Sequence, residues 1–117
     1  MSSEGSSSGP RMNYALVKDL FFRSKMDAVA AALGKRMEFV SDTYRVTDAD
    51  LVLVDLEEFG LEGIQKIVER NPGVRVVSFL SHTRTDLIVR AKMIPGLSVY
   101  PRSVFTERLK DILSHAH

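Results

Sequence analysis

Along the chain, apolar residues alternate between a strand spacing and a helix spacing, and the switching predicts the elements. The first apolar run is YALV (14–17), closed by Lys18 and Asp19. In SKMDAVAAALGKR (24–36), Met26, Val29, Ala30 and Leu33 fall at i, i+3, i+4 and i+7, one stripe of a helix, with Ser24 and Asp27 as a capping pair and Gly34 near the stop. MEFVSD (37–42) sets Met37, Phe39 and Ser41 against Glu38, Val40 and Asp42, the period of an edge strand. TYRVTDA (43–49) reads as a loop or one helical turn. DLVLVDL (50–56) is β-rich and can be buried on both faces, as a central parallel strand is. GLEGIQKIVERNPG (60–73) carries Leu61, Ile64, Ile67 and Val68 on one helical face and ends on the breakers Asn71, Pro72 and Gly73. VRVVSFLS (74–81) is another buried strand, followed by RTDLIVRAKMI (84–94), a helix capped by Thr83 with Asp86 and stopped by Pro95 and Gly96. LSVYP (97–101) is the last strand, and Phe105, Leu109, Ile112 and Leu113 are the apolar face of a terminal helix.

Strands alternating with helices predict an α/β fold, a doubly wound five-stranded parallel sheet with helices on both faces. Ligands bind such sheets outside the carboxyl ends of the strands. Here those ends present Lys18 and Asp19, Ser41 and Asp42, Asp55, Ser81 and His82, and Tyr100 to Ser103. Asp19 and Asp55 follow strands expected to be neighbours, so their carboxylates converge. Two carboxylates with a backbone carbonyl and waters suit Mg²⁺, a hard cation that prefers oxygen. A metal beside an aspartate prepares it to attack a phosphoryl group, and the Ser81 hydroxyl is placed to donate to the transferred group. The structural alternative is that these residues cap the helices that follow them.

Composition narrows the choice. A chain of 117 residues, 44% hydrophobic and 26% charged, is one ordinary globular domain. Its first eleven residues, MSSEGSSSGPR, read as a flexible leader without the order of a signal peptide, so the domain is taken as 12–117. Sixteen basic residues against fifteen acidic ones leave a charge of +1, no global field for nucleic acid or membrane lipid. Arg75, Arg84, Arg90 and Lys92 are spread over a strand, a loop and a helix as solvated charge. The absence of cysteine excludes disulfides, thiolate zinc sites and thiol nucleophiles, and fits a reducing cytoplasm. No apolar run reaches the ~20 residues of a membrane helix. His82, His115 and His117 have no spacing that brings a second histidine to one site, and neither a dinucleotide fingerprint nor a P-loop is present.

One stretch adds a resemblance. DLVLVDLEEFGLEG (50–63) is similar to the third strand and following loop of the receiver domains of two-component response regulators, where a phosphoacceptor aspartate ends the strand and a Pro-Gly-x-x-Gly loop follows. Asp55 falls on the phosphoacceptor, Gly60 and Gly63 on the loop glycines, and Phe59 replaces the proline. Ser81 matches the residue that senses the phosphoryl group, Tyr100 the switch aromatic on the last strand, and Phe105 the aromatic opening the last helix. The resemblance covers residues 13 to 114. It implies a flavodoxin-like strand order 2-1-3-4-5 and Mg²⁺ held by Asp19, Asp55 and the backbone carbonyl of Glu57, whose side chain points outward. It also implies a histidine kinase or other signalling protein as partner, and a partner or homodimer surface on the helix before the last strand, that strand and the last helix. Catalysis would be limited to Mg²⁺-dependent self-phosphorylation and dephosphorylation at Asp55.

Two departures touch the site. Lys18 stands where receivers carry an acid, and at ~4 Å in an effective dielectric of ~20 unit charges interact by about 4 kcal/mol, enough to oppose a weakly held metal. In a gapless match Ser103 and Val104 replace the Lys-Pro of the last strand, which leaves Lys18 or Arg102 as possible counter-charges for phosphate. Three readings follow: an atypical or pseudo-receiver acting through protein contacts with impaired chemistry at Asp55, a working Mg²⁺-dependent phosphoacceptor, and a flavodoxin-like domain binding a small ligand.

Overall fold

The apolar runs form strands β1 (Met12–Leu16), β2 (Glu38–Phe39), β3 (Ala49–Asp55), β4 (Arg75–Leu80) and β5 (Leu97–Pro101) in a computed structural model that describes residues 12–81 and 84–115. All pairings are parallel and the order is β2-β1-β3-β4-β5. The helices between them are α1 (Leu20–Ala32), α2 (Leu56–Arg70), α3 (Thr85–Ala91) and α4 (Arg102–Ser114), and a single 3₁₀ turn, Thr43–Arg45, precedes β3.

Successive strand residues point to opposite faces, and both faces are covered, so the strands read as unbroken apolar runs. Ala15, Leu51, Leu53, Val77 and Phe79 pack with Phe22, Met26 and Ala30 of α1 and Phe105, Leu109, Ile112 and Leu113 of α4. On the other face Tyr14, Leu16, Val52, Val54 and Val76 pack with Leu61, Ile64 and Ile67 of α2 and Ala91 of α3. Leu51 to Val54 of β3 are at most 1% exposed, and burying each such side chain contributes roughly 1.5–3 kcal/mol. β3 is therefore a rigid base for the carboxylate at its end.

Several boundaries differ from the sequence reading, for physical reasons. α1 starts before Ser24, because Asp19 is its N-cap and Phe22, Met26 and Ala30 form one buried stripe. The Asp19 Oδ1 accepts the Phe22 N–H at 3.1 Å. β2 keeps only two residues of MEFVSD, the ones that meet Tyr14 and Ala15 at the edge of the sheet. α2 starts at Leu56, with Asp55 as its cap, and turns at Gly60, whose φ of 72° and ψ of 170° interrupt the helix. Gly63 packs in the following turn, where a Cβ would meet Phe59 Cβ at 3.4 Å and Thr43 Cγ2 at 3.7 Å, ordinary contact distances. The cap of α3 is Arg84, which makes no side-chain capping bond; instead its guanidinium pairs with Asp86 at 3.3 Å. Thr83, expected as that cap, lies outside the described residues, as do His82, His117 and the leader.

The end opposite the functional rim is pinned by Asn71. Buried at the end of α2, it donates from Nδ2 to the carbonyls of Val46 (3.1 Å) and Ile67 (2.9 Å) and accepts the Ala49 N–H on Oδ1 (3.1 Å).

Candidate functional site

Asp55 sits half-buried where β3 gives way to α2. Its Oδ1 accepts the N–H groups of Glu57 (3.0 Å) and Glu58 (3.4 Å), so the capping role and the rim position belong to one side chain. Burial raises its pKa above the usual carboxylate value, and the charges of Glu57 and Glu58 push the same way; the two backbone hydrogen bonds pull against them. Among the described residues, Oδ2 has no hydrogen-bond donor, which leaves one oxygen free to react.

Asp19, at the end of the strand next to β3, is engaged through both oxygens. Besides capping α1, its Oδ2 accepts from the Arg102 guanidinium at 2.8 Å. The Phe22 N–H bond and the Arg102 bond together hold its carboxyl below the usual value. Arg102 is the first residue of α4, 83 positions away in the chain. Its guanidinium carbon lies 4.4 Å from the Phe22 ring centroid and 5.9 Å from that of Phe79, a cation–π seat on a cluster of three aromatic rings with Phe105. β1 and β5 lie three strand spacings apart, about 14 Å, so this pair ties the first and last strands together over the α1 and α4 layer. Lys18 faces the α2 side, with Nζ 3.5 Å from Glu58 Oε2 and 5.9 Å from the Phe59 ring centroid.

Glu57 makes a contact that its place in the sequence does not announce. Its side chain is exposed, yet it also reaches the end of β4, where Oε1 accepts the Ser81 N–H at 2.8 Å. Tyr100 is partly buried towards the α1 and α4 layer, paired with Phe79 across the sheet, and the Arg108 guanidinium lies 5.8 Å from its ring. Phe105 is fully buried in the first turn of α4. β5 ends at Tyr100 and Pro101, and Ser103 and Val104, the residues that stand for the Lys-Pro pair in the gapless match, lie in the first turn of α4. The end of β5 thus carries Tyr-Pro, and no lysine in either register. Arg75, Arg84, Arg90 and Lys92 are all exposed.

These residues do not fit a Mg²⁺ site as arranged. Of the two candidate carboxylates, Asp19 is matched by a guanidinium and Asp55 by backbone donors, and an ammonium stands beside Asp19 in the chain. Among the described residues no three acidic, histidine or cysteine side chains group as a metal site, and no helix is long and apolar enough to cross a membrane.

Among solved structures the chain is similar to a response regulator from Thermotoga maritima, with a TM-score of 0.64 at 19% sequence identity over 91% of this chain and 99% of that one. No protein-family model and no curated protein matches it. The likeness, with the parallel order β2-β1-β3-β4-β5, identifies the fold as the flavodoxin-like receiver fold.

Proposed function

We propose that the chain is an atypical receiver-like signalling module that acts through protein–protein contact, with phosphoacceptor chemistry at Asp55 impaired. One observation carries this reading: the carboxylate that would share a cation with Asp55 is already neutralised by Arg102, at 2.8 Å. Lys18 adds a second positive charge at the same strand end, and Arg102, the cation that follows β5 where a lysine is expected, is engaged by Asp19. A histidine kinase or another signalling protein is the partner class, and α3, β5 and α4 are the surface offered to it. The module is not an enzyme in this reading; its most would be slow Mg²⁺-dependent self-phosphorylation at Asp55.

The deciding measurement is titration with beryllofluoride in millimolar Mg²⁺, followed by amide chemical shifts around Asp55. Unmoved shifts are expected. Saturable, Mg²⁺-dependent shifts at Asp55 and Ser81 would overturn the reading in favour of a working phosphoacceptor. The observation behind that second reading is the free Oδ2 of Asp55, which keeps a nucleophile at the rim.

A further inference from the structure

The first turn of α2 grips both strands that flank β3. Glu58 pairs with Lys18, just past β1, and Glu57 accepts the backbone N–H of Ser81, just past β4. Three features aim Glu57 there. Asp55 fixes the turn by accepting the N–H groups of Glu57 and Glu58. Gly60 breaks the helix immediately afterwards, so the turn takes a direction of its own. Asp55 is level with Phe79 in the sheet, which sets Ser81 two residues beyond that rung, at the height of the turn.

We infer that Glu57 is a built-in anion for the Ser81 amide, holding the end of β4 against the Asp55 corner with no transferred group required. The contact is a carboxylate accepting from a backbone N–H, the charge-assisted class of hydrogen bond, and its 2.8 Å length is typical of that class. Its effect passes along the sheet: Leu80, next to Ser81, pairs with Pro101, and Pro101 caps the helix whose first residue holds Asp19. One acidic side chain thereby couples the ends of β3, β4 and β5. The inference rests on the reading of this rim as the signalling corner and adds to it a mode of regulation: the corner is set in one conformation by the chain's own carboxylate.

The test uses the whole chain without Mg²⁺ or any phosphoryl mimic, reading amide chemical shifts and hydrogen exchange. In the wild type the Ser81 amide is expected downfield and protected. In Glu57→Ala it moves upfield and exchanges on the order of tenfold faster, as for loss of one such bond, and the Tyr100 and Arg102 amides shift with it. Glu57→Gln, which keeps an oxygen without the charge, falls between, and Glu58→Ala leaves Ser81 unmoved. An unchanged Ser81 amide in Glu57→Ala overturns the contact, and changes that stop at Ser81 without reaching Tyr100 and Arg102 overturn its role in coupling. With no metal or fluoride present, either failure is distinct from failure of the beryllofluoride test.

Discussion

Asn71 offers the cleanest measure of how the scaffold beneath the rim is held. Replacing it with alanine removes three side-chain hydrogen bonds at a residue only 4% exposed. The Ile67 carbonyl keeps a donor, because the Asn71 backbone N–H also reaches it at 3.0 Å. The Ala49 N–H and the Val46 carbonyl lose their side-chain partner, and each orphaned buried group costs roughly 1–3 kcal/mol. The expected loss is therefore about 3 kcal/mol, against the ~5–15 kcal/mol by which domains of this kind are stable. At roughly 4 °C per kcal/mol for about 100 residues, the melting temperature should fall by about 12 °C. Urea denaturation followed by circular dichroism checks this, with the midpoint lowered and the slope unchanged. Asn71→Asp separates the two halves of the network: it keeps an acceptor for Ala49 but loses both donors and faces two carbonyls with a charge, so it should be at least as destabilising at neutral pH. A loss under about 1 kcal/mol in Asn71→Ala would refute the reasoning, since it would mean that water or a backbone shift satisfies the freed groups.

Three further outcomes follow from the rim and its turns. Because burial raises the pKa of Asp55, the folded state holds that proton more tightly than the unfolded chain, and the stability it contributes at acid pH is lost as pH rises through the folded value. Asp55→Asn, neutral and still able to accept the Glu57 N–H, should gain stability over the wild type from about pH 4 towards neutrality, by denaturation at stepped pH; a less stable variant at neutral pH would contradict the burial account. Lys18→Asp alone should not create Mg²⁺ affinity, because Arg102 still occupies Asp19, whereas Lys18→Asp with Arg102→Gln should; equal Mg²⁺-induced shifts in the single and double variants would remove Arg102 from the explanation. Gly96→Ala should cost about 2 kcal/mol or more, since φ is +81° and the new Cβ would lie 2.8 Å from the Val74 carbonyl oxygen; a melting temperature equal to the wild type would show that this turn relaxes freely.

What the sequence made legible was whatever depends on local spacing. LSVYP is the whole of β5, because Pro95 and Gly96 stop the chain before it, and the apolar stripe of α4 is buried as its period requires. The start of α1 was hidden because Leu20 and Phe21, at 73% and 84% exposed, interrupt the stripe that Phe22 begins. At the rim, Lys18, Asp19, Asp55 and Ser81 were recognised as the residues that strand ends present. Their partners were not, since no periodicity links Arg102 to Asp19 across 83 residues, or Glu57 to Ser81 across 24. Such pairs depend on which helices share a layer and how a turn is aimed, and both are properties of the assembled fold.

The two outer strands bear on how copies of this chain can meet. β2 offers two residues of backbone, and β5 closes on a proline that has no N–H to donate. Short and proline-ended borders discourage strand addition, the route by which open sheets polymerise. Growth of the sheet from molecule to molecule is thus blunted at both sides.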